Sequence, residues 1–125
     1  NNIADINQVS DVLGTAPGFG LASNNEMIFF EQSYRQQFDR APDAFNVSGY
    51  DFVMITALAI EHAGYKNNTN NPTGLMVRDS LRAVMNSPGQ IVSPSNIGEA
   101  LELIRAGIDV DYSTLSYPQK KLQDA

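Results

Sequence analysis

Apolar residues recur at helical spacing along most of the chain, and the first such stripe lies near its start. Its members are Ile3, Ile6, Val9, Val12 and Leu13. Gly14 follows where a left-handed C-terminal cap would lie, so a first short helix is expected to end there. The segment 14–20 contains three glycines and one proline and predicts a loop.

A second stripe predicts a helix over 23–38. Ser23 and Glu26 have the spacing of a capping box, which satisfies two backbone amides at the start of a helix. One face of this helix carries Met27, Phe30, Tyr34 and Phe38. Such a stripe is typical of core-facing positions. Pro42 disfavours the α region for the residue before it and ends the pattern.

The segment 45–48 alternates between apolar and polar side chains, which predicts a short strand. Ser48 and Asp51 then have capping-box spacing before a long apolar run, so a helix is expected to begin at Ser48. The run is apolar on nearly every side, and this helix is expected to be the most buried. Gly64 is expected to end it.

Two more helices follow a polar, turn-rich connection at 67–74. Thr73 is the candidate N-cap of the first, and "NSPG" at 86–89 ends it. Its stripe consists of Leu75 or Val77, Leu81, Val84 and Met85. The second helix repeats the pattern at Ile97, Leu101 and Ile104 and is expected to end at Gly107.

The segment 108–112 alternates again and predicts a second strand. Its acidic residues, Asp109 and Asp111, are expected to face solvent; the alternative is a pair of catalytic carboxylates. Residues 113–125 show no strong periodicity and are expected to form a loosely ordered tail. Together the patterns predict a helix-rich α/β chain with very few strands.

Composition limits the functional classes. The 125 residues fit a single domain, and they include 14 acidic and 8 basic residues with no basic cluster larger than Lys120-Lys121. Nucleic acid is therefore not an expected partner. The absence of cysteine excludes disulfides and thiolate catalysis. The longest apolar run, 52–60, is shorter than the roughly 20 residues that a membrane-spanning helix needs.

No motif indicates catalysis. His62 is the single histidine and has no partner at metal-ligand spacing, so a structural position in the last turn of its helix is favoured over a ligand role. The glycines of 14–20 do not form a phosphate-binding motif, and no serine lies in a nucleophile elbow. Neither an enzyme, a metal site nor a cofactor is expected.

The order of three segments carries a family resemblance. They are "FFEQSYRQQFDRAPDAFNVSGYDFVMITALAIEHAG" (29–64), "VRDSLRAVMNSPGQ" (77–90) and "IGEALELIRAGIDVDY" (97–112). These segments contain, in this order, the motifs F-x-x-x-Y, Y-D, A-G, V-R-D-x-L and G-x-D-x-D-Y, and one protein family has the same motifs in the same order. The chain resembles the C-terminal part of the type 1 periplasmic solute-binding proteins of ABC importers, the leucine/isoleucine/valine-binding group.

The resemblance implies that residues 1–125 are a partial domain, the helix-rich C-terminal portion of a two-lobe α/β fold. It implies non-enzymatic binding of an amino acid or similar solute by closure of the lobes, and delivery to a membrane permease. The expected location is periplasmic or extracellular, with a lipid anchor at an absent N-terminus as one form of attachment. The remaining part of the same protein would be a further partner.

The resemblance also places "DAFNVSGYD" (43–51) beside the ligand cleft, at the end of a strand. Four residues are therefore candidate ligand contacts: Phe45, Ser48, Tyr50 and Asp51. Ser48 and Asp51 could serve only as helix caps, and Phe45 and Tyr50 only as core. Two other functions stay open: a ligand-sensing receptor domain of the same fold, and a helical interaction module that binds no small ligand.

Overall fold

The computed structural model describes residues 25–86 and 88–115. It contains four helices, α1 (Asn25–Phe38), α2 (Ala44–Asn67), α3 (Gly74–Leu81) and α4 (Ile97–Arg105), and two strands, β1 (Gln90–Val92) and β2 (Val110–Tyr112). A 3-10 turn, Pro94–Asn96, precedes α4. The expected first helix, the glycine-rich loop, the cap at Ser23 and residues 116–125 of the tail lie outside the described residues.

The two strands form a parallel pair in which Gln90 lies opposite Val110 and Val92 opposite Tyr112. Parallel strands need a crossover connection, and α4 provides it, so β1, α4 and β2 form a β-α-β unit. The other edge of β2 forms a short antiparallel bridge between Asp111 and Met85. There the Tyr112 amide donates to the Val84 carbonyl at 2.9 Å. The predicted helix-rich α/β class is confirmed.

The main core lies between this unit and α2. Its buried residues are Leu58, Ala59, Val84, Val92, Ala100, Ile104, Val110 and Tyr112. A second, smaller cluster joins α1, α2 and the segment after β2 through Met27, Val47 and Leu115, with Phe30 and Tyr50 packed against it. This second cluster fixes the relation between α1 and the first half of α2.

The predicted strand at 45–48 is wrong, because α2 already begins at Ala44. Asp43 is its N-cap: the Asp43 carboxylate accepts from the Asn46 amide at 2.8 Å, and the Asn46 side chain accepts from the Asp43 amide at 3.0 Å. The capping box assigned to Ser48 and Asp51 is therefore also wrong. Those residues lie beyond the first turn of α2, where backbone amides already have helical partners.

Asp43→Ala is expected to lower the free energy of unfolding by about 0.5–2 kcal/mol, the usual effect of losing an N-cap side chain. Ser48→Ala is the matched control, because the Ser48 side chain is exposed within the same helix and should change stability by no more than about 0.5 kcal/mol. Urea denaturation followed by circular dichroism measures both. A larger effect of Ser48→Ala would contradict the assignment of the cap.

Other boundaries differ in smaller ways. Helix α2 ends at Asn67 rather than Gly64, and Asn68 caps it in the left-handed conformation with φ of 49°. The Thr73 cap is confirmed, since its hydroxyl accepts from the Met76 amide at 3.4 Å. Strand β1 was not predicted. No helix in the described part of the chain is long and apolar enough to cross a membrane.

The β2 strand is confirmed, but the solvent position of Asp111 is wrong. Asp109 is exposed, whereas Asp111 is only 2 % exposed. Val110, Asp111 and Tyr112 are all buried, so both faces of β2 are covered. Ser113, just after β2, donates its amide to the Val92 carbonyl at 2.8 Å, and Leu115 is buried. The start of the expected tail is therefore fixed to the core.

Candidate functional site

An open groove of about 560 Å³ lies between α1 and the first half of α2. Its lining is mainly aromatic and aliphatic: Phe29, Phe30, Tyr34, Phe38, Phe45, Tyr50, Val53, Met54 and Leu115. The polar groups on its wall are few and include Glu26, Ser33, Asn46 and Ser95. A concave, apolar surface with a few polar groups is the common form of a small-molecule site.

A line of aromatic rings in tilted contact runs along the groove. Phe30, Tyr34 and Phe38 are spaced four residues apart on α1 and therefore share one face of the helix. Ring centroids are 5.8 Å apart between Phe30 and Tyr34, and 4.5 Å apart between Tyr34 and Phe38. Tyr50 of α2 extends the line at 4.8 Å from Phe30. We call Phe38, Tyr34, Phe30 and Tyr50 the aromatic row.

Glu26 lies at one end of the groove, and its carboxylate already accepts hydrogen bonds from the protein. Glu26 lies one turn before Phe30 on α1, and its carboxylate reaches the connection between β1 and α4. It accepts from the Ser93 hydroxyl at 2.9 Å, from the Ser95 amide at 3.2 Å and from the Ser95 hydroxyl. These bonds attach α1 to the β-α-β unit and occupy acceptor positions of Glu26 that a ligand would otherwise use.

A guanidinium lies beside the groove, just after the C-terminal end of α1: Arg40 is not part of the lining, but it contacts Tyr34, which is. Asp39 ends α1 in the left-handed conformation, with φ of 52°, and the chain turns there. Arg40 then lies over the Tyr34 ring, with Cζ 5.5 Å from the ring centroid, and Nη2 donates to the Tyr34 hydroxyl at 2.8 Å. The position combines a cation–π contact with a hydrogen bond, so Arg40 is held beside the aromatic row.

The four residues predicted from the sequence are divided by the structure. Phe45 and Tyr50 line the groove, and Phe45 is 72 % exposed. Ser48 is exposed but is not part of the lining, and Asp51 is buried. The fold thus brings two of the four candidates to one surface; contact of any of them with a ligand stays a prediction.

Tyr50 has a protonated hydroxyl at neutral pH. Burial raises the pKa of its phenol, and the negative charges of Glu26 and Asp51 raise it further. The ring contacts Phe30 and is half-buried. A neutral phenol that is partly open to the groove can donate one hydrogen bond to a bound molecule.

Asp51 has a structural position next to the groove. Its carboxylate accepts from the Tyr112 hydroxyl at 2.9 Å and from the Leu115 amide at 2.9 and 3.0 Å. Burial and the Asp51 charge raise the pKa of Tyr112, so its hydroxyl stays protonated and donates. Because Leu115 lines the groove, Asp51 acts on the site by holding one of its walls.

The structure gives no catalytic arrangement around His62. Its Nδ1 lies 2.9 Å from the Ser80 hydroxyl, but Ser80 is 2 % exposed and out of reach of a substrate. Burial lowers the pKa of His62, with a smaller contribution from Lys66. The contact joins α2 to α3. The predicted position in the last turn is wrong, because α2 continues beyond His62 to Asn67. Among residues 25–86 and 88–115 no cluster of side chains could hold a metal ion.

Sequence reasoning missed the contribution of Glu26 and Phe38 to the groove. Glu26 was interpreted only as part of a cap, although the described contacts of its side chain are with serines 67 and 69 residues later. Phe38 was assigned to the core, but it is 56 % exposed. The adjacent Phe29 was a usable signal, because it is about 100° around the helix from Phe30 and lies outside the stripe of Phe30, Tyr34 and Phe38.

Comparison with known proteins gives no match: no family, curated protein or solved structure is similar to this chain at a significant level.

Proposed function

We propose that this chain binds a small solute through the aromatic groove and carries out no chemistry on it. The observation that carries the proposal is the groove itself, because its volume of about 560 Å³ is that of a small-molecule site and its lining is apolar with few polar groups. Phe45 and Tyr50, two candidates from the sequence, both contribute to it.

The finer part of the proposal follows the family resemblance. The chain would be the C-terminal portion of a two-lobe solute-binding protein, periplasmic or extracellular, that delivers an amino acid or a similar solute to the permease of an ABC importer. The groove is open on one side, which suits a site that a second lobe closes. Ligand would then stabilise the closed state through contacts that the open state lacks.

A protein interaction surface is the second candidate, and a specific observation favours it. Phe52 and Val53 on α2 are 66 % and 61 % exposed, and Phe52 lies outside the groove lining. Together with Phe29 and Phe45 they give α1 and α2 a large exposed apolar surface, which is typical of a surface that a partner covers. The remaining part of the same protein is the partner that the resemblance implies.

Phe45→Ala is expected to weaken solute binding about tenfold, because partial burial of a phenyl ring against a ligand contributes on the order of 1.4 kcal/mol. Phe52→Ala is the matched control: it removes the same ring from a similarly exposed position of the same helix that does not line the groove. Calorimetric titration measures both. The titrant is the best of leucine, phenylalanine, 4-phenylbutyrate and 4-phenylbutyramide in a thermal-shift screen.

Equal affinities of the two variants would exclude the groove as the site. If none of the four solutes raises the melting temperature of the wild-type chain, the solute-binding proposal is contradicted and the interaction surface becomes the better interpretation. Neither substitution should alter stability by more than about 0.5 kcal/mol, since both rings are mostly exposed.

A further inference from the structure

Glu26, which lines the aromatic groove, and Arg40, which lies beside the lining residue Tyr34, differ in the charge that they offer to a ligand. Both carboxylate oxygens of Glu26 accept hydrogen bonds from the β1–α4 connection. Arg40 uses one N–H for the Tyr34 hydroxyl, while a guanidinium has five N–H donors. In the described part of the chain Arg40 forms no ion pair, whereas Arg35, Arg78 and Arg105 each contact a carboxylate.

The acidic residues next to Arg40 in the sequence do not form ion pairs with it in the described part of the chain. Asp39 and Asp43 flank it in sequence, and both are exposed. Asp43 is engaged in capping α2, and neither carboxylate forms an ion pair with Arg40 within residues 25–86 and 88–115. Their charges weaken the local positive potential, but solvent screens exposed charges strongly. Arg40 is exposed, so those of its N–H groups that do not contact Tyr34 are accessible to a ligand.

From this asymmetry we propose that the groove takes an amphipathic monocarboxylate, with its apolar body on the aromatic row and its carboxylate on the guanidinium of Arg40. The inference rests on the solute-binding part of the proposed function, and it narrows the solute from an amino acid or similar molecule to a monocarboxylate without an ammonium group. Arginine suits this role, because its fork of N–H groups matches the two oxygens of a carboxylate. Arg40 is also held in place by Tyr34, so less side-chain entropy is lost on binding.

An α-amino acid fits this groove less well than an anion without an ammonium group. Glu26 and Phe38 are twelve residues apart on α1, which corresponds to about 18 Å along the helix axis. The ammonium and carboxylate of an α-amino acid are attached to one carbon, so they cannot reach both ends at once. With the carboxylate on Arg40, the ammonium would lie beside a guanidinium and face repulsion.

The test compares three probes of similar size on the wild-type chain by calorimetric titration: 4-phenylbutyrate, the uncharged 4-phenylbutyramide and zwitterionic phenylalanine. We expect 4-phenylbutyrate to bind at least tenfold more tightly than the amide, as a charge-assisted hydrogen bond requires. Phenylalanine should bind more weakly than 4-phenylbutyrate. Raising the salt concentration should weaken binding of 4-phenylbutyrate and leave the amide unchanged.

Two variants locate the charge. Arg40→Gln should reduce the affinity for 4-phenylbutyrate to that for the amide, and leave the affinity for the amide within about twofold. Arg78→Gln is the matched control, since it makes the same change at an exposed site on α3 and should have no effect. The comparison of 4-phenylbutyrate with 4-phenylbutyramide uses only the wild-type chain, so it tests the inference even if Arg40→Gln unfolds the protein.

The outcomes separate this inference from the proposed function. Equal binding of acid and amide by the wild-type chain, or tighter binding of phenylalanine, would overturn the inference and leave solute binding in place. The same holds if Arg40→Gln and Arg78→Gln weaken 4-phenylbutyrate binding equally. Failure of all three probes to bind would overturn both.

Discussion

Asp51→Ala is expected to lower the free energy of unfolding by about 3 kcal/mol or more, because it leaves two buried donors without their acceptor, each at a cost of about 1–3 kcal/mol. The donors are the Tyr112 hydroxyl and the Leu115 amide, which lie 2.9 Å from the same carboxylate oxygen. Asp51 and Tyr112 are 5 % and 2 % exposed, so water cannot replace the lost acceptor without opening the structure.

Two further variants test the mechanism of this effect. Asp51→Asn keeps one acceptor oxygen in a similar shape and should cost clearly less than Asp51→Ala. Tyr112→Phe removes one donor and leaves the carboxylate bonded to Leu115, so it too should be milder. Urea denaturation measures all three. A loss below about 1 kcal/mol for Asp51→Ala would show that the carboxylate is not a structural acceptor, since one unsatisfied buried donor alone costs that much.

Local patterns were sufficient for the elements whose signals lie within one turn. The Thr73 cap, the end of α1 at Phe38 and the strand β2 were all predicted, because each depends on neighbouring residues. The prediction of a strand at 45–48 was wrong because it, too, used only neighbouring residues. Two successive candidate boxes, Asp43 with Asn46 and Ser48 with Asp51, have equal spacing, and the helix begins at the first of them, which places Val47 in the second cluster.

Long-range contacts explain what the sequence did not reveal. Asp51 looks like a cap locally, yet its partners are 61 and 64 residues later in the chain. Strand β1 has only three residues, too few for alternation to be recognised, and it exists by pairing with β2 across α4.

The candidate site was half visible in the sequence. Phe45 and Tyr50 were found from the order of motifs, whereas Arg40 was not, because its position depends on a left-handed turn at Asp39 that no glycine marks. The stripe of Phe30, Tyr34 and Phe38 was found but assigned to the core. Periodicity shows that side chains share a face of a helix, but not whether that face is covered.

Gly89 lies where β1 approaches β2, and its position leaves no room for a side chain. A Cβ at Gly89 would lie 2.6 Å from the Val110 carbonyl oxygen and 2.9 Å from the Asp111 amide nitrogen. Both atoms belong to the backbone of β2, which cannot rotate away as a side chain could. The adjacent Gln90 amide donates to the Asp109 carbonyl at 2.7 Å, so a shift of Gly89 also disturbs the start of the pairing.

Gly89→Ala is therefore expected to lower the free energy of unfolding by about 1–3 kcal/mol or more, the usual effect of overpacking a tight contact. Gly98→Ala makes the same chemical change in the first turn of α4, where no atom lies within 4 Å of the new Cβ, and alanine should stabilise the helix by up to about 0.5 kcal/mol. Urea denaturation of both variants should thus give effects of opposite sign. If Gly89→Ala were neutral or stabilising, the close approach of β1 to β2 would be contradicted, and with it the parallel pair that defines the β-α-β unit.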